Sequence, residues 1–356
     1  FRRPIGIAGL ITPFNFPLAI PTWKAFPALL CGNAVVFKPC RDVPHTATVM
    51  VEILLEAGLP PEVIQLVHGA GEVGAAIVQH PDVALVSFTG STETGSQVGE
   101  TCGRMHKRLS LEMGGKNAMI VLNDADLELA LDGVLWGAFG TTGQRCTATS
   151  RLIVQDGVHD EFVAMLATKT ATLVLGDGRE KGTDVGPLIN AESVANVDRY
   201  VGIGASECEL RLGGAAARGP GLEHGFFYQP TIFTGVQPHS RLEQEEIFGP
   251  VLSVIRVKDA DEAFTVNNDV RYGLSSSVYT RDVNLAFRAL NELDTGITYI
   301  NAPTIGAEAH LPFGGVKLTG NGHREGGWEV YEFYSETKVG YVDFSGRLQR
   351  AQIDNY

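Results

Sequence analysis

Residues 5–115 alternate short apolar runs rich in β-branched side chains with longer patterned stretches, and this alternation restricts the fold more than any other feature. The runs Ile5–Ile11, Ala34–Lys38, Val63–Val67, Ala84–Phe88 and Leu109–Glu112 read as strands. The stretches at about 17–31, 44–57, 71–80 and 91–105 read as helices, and Gly58 stands where the second would be capped. Strand and helix at this spacing imply βαβ units and a parallel, doubly wound α/β sheet. A second α/β series begins near Lys116. Its strands are expected at Met119–Leu122, Leu152–Gln155, Val251–Val257, Ser275–Tyr279 and Gly296–Ile300, with helices at about 126–139, 159–174, 191–206, 260–268 and 282–293. No repeat, low-complexity block or linker separates the halves, so two domains in tight contact are expected, with a ligand cleft between them.

Composition narrows the class. The 356 residues carry 42 glycines, well above the roughly 7% of ordinary proteins, so tight turns abound. A net charge of −13 argues against nonspecific attraction to nucleic acid or an anionic membrane. No apolar run approaches the roughly 18 residues needed to span a bilayer. Five scattered cysteines, without a C-x-x-C pair, argue against a disulfide framework or a structural zinc and for a reducing, cytoplasmic compartment. The chain starts at Phe1 in what reads as a mid-domain strand, so it is expected to be part of a longer polypeptide.

Three Gly- or Pro-rich turns carry the chemistry. Cys146 ends the loop Phe139-Gly140-Thr141-Thr142-Gly143-Gln144-Arg145-Cys146-Thr147. A lone cysteine is usually a small buried hydrophobe. Here two glycines let backbone approach a ligand, and the adjacent Arg145 is placed to favour the thiolate. Glu112 lies in Leu111-Glu112-Met113-Gly114-Gly115-Lys116-Asn117, and a carboxylate there is a general base, a solvated group or a cap. Asn15 lies in Thr12-Pro13-Phe14-Asn15-Phe16-Pro17, where its amide is either an oxyanion donor or an Asx-turn before a helix. Thiol, carboxylate and amide form a set suited to chemistry at a carbonyl carbon.

Together and in this order, the motifs resemble the aldehyde dehydrogenase superfamily, from Ile5 to about Val342. The resemblance implies an aldehyde-dehydrogenase-like α/β fold: a Rossmann-type parallel-sheet cofactor domain (1–114, its C-terminal part), an α/β catalytic domain (115–320), and a return segment with a short oligomerisation strand (321–356). It implies NAD(P)-dependent oxidation of an aldehyde to a carboxylic acid through a thioester on Cys146. Glu112 then activates the hydrolytic water, and Asn15 supports the oxyanion. Members that pass the acyl group to CoA lack the carboxylate at the Glu112 position, so an acylating enzyme is the second reading and a catalytically silent binding protein the third.

On the same basis the cofactor is held by Thr12, Pro13, Lys38, Gly71, Gly74, Phe88, Gly90, Ser91, Gly114, Glu246 and Phe248. Lys38 faces the adenine-side ribose, and Ser91, at a helix N-terminus, the pyrophosphate. Glu246 and Phe248 hold the nicotinamide-side ribose and ring. Relatives specific for NAD carry an acid three positions after the lysine, but Arg41 stands there. It either pairs with the 2′-phosphate of NADP or points into solvent, which leaves the preference between NAD and NADP open. Arg145, Gly306, Ala307 and Phe313 are the expected substrate contacts. The Gly306-Ala307-Glu308 run resembles the loop that holds the distal carboxylate of semialdehydes. The tail from Ser335, through Lys338, Val339, Tyr341 and Val342 to Gln349 and Asp354, is either the strand that joins subunits into a homodimer or homotetramer or an ordinary edge strand. No metal is expected.

Overall fold

The computed structural model describes residues 1–348, so Gln349 and Asp354 lie outside the described residues. Five parallel strands form the first sheet, in the order Ile64–Leu66, Ala34–Lys38, Ile7–Ile11, Val83–Thr89, Arg108–Glu112. Their central members are apolar runs because both faces are covered. On one face Ala8, Leu10 and Phe37 pack against Ala25 and Ala28 of the helix Ala19–Leu30. Val330, Phe333 and Tyr334 of the return segment join that cluster. On the other face Val86 and Phe88 meet Ile77, Val98 and Cys102 from the helices Gly71–Gln79 and Thr92–Arg104.

The second sheet has seven strands, ordered Ile297–Ile300, Ser275–Tyr279, Ala118–Val121, Arg151–Gln155, Val251–Val257, Thr231–Thr234, Glu209–Leu212. All pairings are parallel except the last, which is antiparallel and closes the edge. Helices Leu127–Phe139 and Asp156–Thr170 cover one face, while Ala191–Glu207, Ala260–Asn268 and Val283–Glu292 cover the other. Asp126, Asn190, Asp259 and Asp282 cap these helices by accepting a backbone N–H, a contribution of about 1 kcal/mol each. Gly58 has φ +97° just beyond the helix Pro44–Glu56, the left-handed stop expected of it.

Two differences from the sequence reading stand out. The strands Thr231–Thr234 and Glu209–Leu212 were not foreseen. Among the described residues the tail forms a strand only at Ser335–Thr337, and it pairs antiparallel with the chain's own Arg2–Pro4. Val339, Tyr341, Val342 and Phe344 follow it as exposed apolar side chains outside any regular element. Among the described residues no helix is long and apolar enough to cross a membrane.

Candidate active site

The loop that carries Cys146 is tightly determined. The helix Leu127–Phe139 runs into a turn, Gly140–Gly143, that delivers Cys146. A Cβ on Gly143, which has φ +66°, would lie 2.2 Å from the Gly249 carbonyl oxygen, so only glycine fits. Thr141 and Thr142 also occupy the left-handed region, at φ +56° and +58°, an unfavourable choice for β-branched residues. Side-chain bonds offset the strain. Thr142 Oγ1 donates to the Gly186 carbonyl at 2.9 Å, and Arg145 Nε donates to Thr141 Oγ1 at 2.6 Å. On the far side, Asn117 Nδ2 donates to the carbonyls of Cys146 (2.7 Å) and Ala148 (2.9 Å).

Cys146 opens on a cavity of about 200 Å³ where the two sheets meet. Its wall brings together Cys146, Glu112, Arg145, Gly306, Ala307 and Phe313, six residues singled out from sequence. Phe16, Ile20, Trp23 and Met113 make the rest largely apolar, with Trp23 and Phe313 in edge contact at 5.6 Å. Burial pushes the Cys146 thiol up to about 12, helped by Glu112 and Glu246 and opposed by the N–H groups of Thr147 and Cys146. Arg145, expected to favour the thiolate, does interact with the sulfur charge, since Cys146 opposes the burial that lowers the Arg145 pKa, but burial dominates at the thiol. Burial thus favours the protonated form of the resting thiol.

Glu112 stands on the wall of the same cavity. It ends its strand buried, and neither oxygen has a hydrogen-bond partner. Burial first, then the neighbouring Glu325, hold it well above the ordinary carboxyl range, with Lys24 and Arg324 opposing. A base with a raised pKa works closer to neutral pH. Glu325 itself lines the cavity and is ion-paired with Lys24, whose Nζ also donates to Ser87 Oγ at 2.8 Å. Lys24 and Glu325 were missed in the sequence reading. The available signal was a lysine among buried positions of an apolar helix, since buried lysines are almost always paired.

Asn15 does not line this cavity. It borders an adjoining hollow with Phe14, Thr141, Thr142 and Gln144, and its Oδ1 is buried without a partner. Arg145 is held differently from the other buried arginine. Its guanidinium stacks on Trp136 (5.0 Å) and Phe16 (5.6 Å), and only its Nε is hydrogen-bonded. Arg151, by contrast, donates to Glu243 and to the carbonyls of Lys116, Val266 and Asn267. The N–H groups of Gly306 and Ala307 likewise donate to no described residue.

A separate groove of about 440 Å³ runs along the first sheet, lined among others by Lys38, Gly71, Gly74, Phe88, Thr94 and Gln97. Lys38 Nζ has one partner, the Pro39 carbonyl at 2.9 Å, which leaves donors for a ligand. Ser91 caps the helix Thr92–Arg104 by accepting from the Thr94 N–H. Thr12 N–H donates to the Lys38 carbonyl, while Thr12 Oγ1 is buried and unpartnered. Gly90 makes room for the Phe88 ring, which a Cβ would approach to 2.6 Å. Pro13 lies in the turn between the groove and Asn15, and Phe14 meets Phe248 edge-on at 5.9 Å. Glu246 accepts from the Gly115 N–H at 2.9 Å, and a Cβ on Gly114 would lie 2.2 Å from Glu246 Oε2. Arg41 is off this groove, with its side chain 63% exposed and Asp42 at 3.9 Å. Unspent donors at Lys38, an orphaned threonine hydroxyl and an aromatic pair toward the catalytic loop fit a dinucleotide.

The comparisons with known proteins agree with this geometry. The profile of the aldehyde dehydrogenase family matches residues 1–339. The chain belongs to the aldehyde dehydrogenase family. It is 40% identical to the α-ketoglutaric semialdehyde dehydrogenase of Bacillus subtilis over 96% of its own length and 70% of that protein's. It is 41% identical to a betaine aldehyde dehydrogenase of Mesorhizobium japonicum, again over 96% and 70%. The solved 1-pyrroline-5-carboxylate dehydrogenase from Thermus, with bound NAD, superposes with a TM-score of 0.91 at 40% identity, covering 94% of this chain and 66% of that one. This aldehyde dehydrogenase is thus an NAD(P)-dependent oxidoreductase with the family's α/β fold.

Proposed function

We propose that the enzyme oxidises an aldehyde carrying a distal carboxylate, a semialdehyde, to the free acid through a thioester on Cys146. Overall identity does not select the substrate, because semialdehyde and betaine aldehyde relatives are equally similar. The observation that carries the choice is Arg145, a half-buried guanidinium at the Cys146 cavity with its terminal nitrogens unspent. Such a cation invites a carboxylate, and the free N–H groups of Gly306 and Ala307 add donors on the same wall.

Cys146 gives up its proton to water, its thiolate adds to the carbonyl carbon as the C=O π bond opens to an oxyanion, and the backbone N–H groups beside it meet that oxyanion, with the Asn15 amide reaching in from the adjoining hollow. Lys38, Glu246 and the Phe14–Phe248 end of the groove would hold NAD(P)⁺, which would supply the acceptor for the hydride that leaves the adduct carbon as the thioester forms. Glu112 removes a proton from water, the resulting hydroxide attacks the thioester carbonyl, and the C–S bond breaks to give acid and thiol. A carboxylate in the Glu112 position favours water over CoA as acyl acceptor. The exposed apolar run after Ser335–Thr337 supports a homodimer or homotetramer joined along that edge.

The test is an aldehyde panel in which a four- or five-carbon semialdehyde is matched with its neutral isostere, without CoA. The wild type should prefer the carboxylated substrate at least tenfold in kcat/KM. Arg145→Leu should erase most of that preference while leaving the neutral aldehyde within a few-fold, as expected for losing one charge-assisted bond of about 1.5–3 kcal/mol. A wild type that favours the neutral isostere contradicts the proposed substrate.

A further inference from the structure

Lys116 is a buried ammonium whose Nζ has no hydrogen-bond partner. The other buried cations each have a partner: Lys24 has Glu325 and Ser87, Arg151 has Glu243 and three carbonyls, and Lys38 has the Pro39 carbonyl. Retaining an unpaired charge inside a protein is costly, so its position asks for a reason. Lys116 directly follows the two glycines that cradle Glu246. Gly115 donates its N–H to Glu246 Oε1, and Gly114 yields the space a Cβ would take from Oε2.

We propose that Lys116 is a positioning residue for the cofactor, the buried counter-charge that keeps Glu246 ionised as acceptor for the ribose next to the nicotinamide. The inference rests on the reading of Glu246 as that acceptor. Electrostatics support the geometry. Burial pushes Glu246 up to about 7, against the Gly115 N–H, Lys116 and Arg271. Burial and Arg151 push Lys116 down to about 7, against Glu243, Glu246 and Glu245. Cys146 is the remaining titratable group that feels Glu246. Each member of the Lys116–Glu246 pair thus favours the charged form of the other, and both change charge in the same narrow range. Without the cation, Glu246 would hold its proton to higher pH. Ribose binding would then fade on the acid side and recover only in alkali.

The experiment measures Kd by tryptophan quenching between pH 6 and 9 for NAD⁺ and, in parallel, NADP⁺. ADP, which lacks the nicotinamide ribose, serves as control. In the wild type, dinucleotide affinity should rise about tenfold through pH 7, while ADP stays flat. Lys116→Met should move that transition at least about one pH unit upward without changing ADP binding. Glu246→Gln should bind dinucleotide weakly and without the transition. If Glu246→Gln keeps the transition, the Glu246 reading fails. If Glu246→Gln loses it but Lys116→Met leaves its midpoint in place, the Lys116 inference alone fails. A flat wild-type profile overturns the inference with no variant needed.

Discussion

Residue by residue, the chain assigns its chemistry through burial as much as through charge. Cys146 and Glu112 occupy one small cavity, and both are held away from their ordinary titration ranges chiefly by desolvation. Burial favours the protonated form of both, so the carboxyl accepts a proton nearer neutrality than an exposed one would. The sign for activity follows. In the proposed role Glu112 works ionised, and its pKa is raised, so the hydrolytic step should strengthen with rising pH through a limb above the ordinary carboxyl range. Arg41 shows the limit of motif reading. Its place three residues after Lys38 suggested a 2′-phosphate contact, yet its side chain stands in solvent at the rim. If it swings to a bound ribose phosphate, Arg41→Glu should shift the ratio of kcat/KM for NAD over NADP about tenfold toward NAD, an effect weakened by salt. An unchanged ratio would put cofactor choice on other residues.

Among the elements, continuous apolar strands were the most legible. Ala34–Lys38 and Val251–Val257 fall at the bounds read from sequence, because parallel strands covered on both faces need no polar alternation, and so does Ser275–Tyr279, whose Ser275 and Ser277 hydroxyls donate to the Thr304 and Ala302 carbonyls. Thr231–Thr234 was hidden by its two threonines, one of which bonds the Gln229 carbonyl and so hides a polar group in a buried strand. Glu209–Leu212 was hidden by charge, since an antiparallel edge exposes it. The site divides the same way. Cys146, Glu112 and the Gly306-Ala307 loop sit in local motifs, whereas Glu325 reaches Lys24 from 301 positions away and no local pattern announces the pair. The nucleophile loop gives an element-scale test. Gly143→Ala would set a methyl 2.2 Å from the Gly249 carbonyl at φ +66°. It should lower kcat at least tenfold and destabilise the fold by about 1–3 kcal/mol, read from turnover and urea melts. Full activity would mean that the loop relaxes at no cost.

At the scale of the whole molecule, the return segment is what closes the site. It packs Val330, Phe333 and Tyr334 on the first sheet and carries Glu325 to the cavity wall, where Lys24 neutralises it. Cutting that link leaves a carboxylate buried and unpaired. Lys24→Met should therefore cost about 3–5 kcal/mol in unfolding free energy, while the double variant Lys24→Met with Glu325→Leu should recover most of it. Additive losses in the double variant would show that the two groups do not depend on one another.

Rapid mixing of Glu112→Gln with saturating aldehyde and NAD(P)⁺ tests covalent catalysis with a separate hydrolytic base most directly. The expected result is a burst of reduced cofactor close to one per site, then near-arrest, with the acyl group on Cys146 by intact-protein mass. Cys146→Ala should show neither burst nor adduct. A Glu112→Gln enzyme that turns over at the wild-type rate, or arrests with no acyl mass on Cys146, would contradict the account.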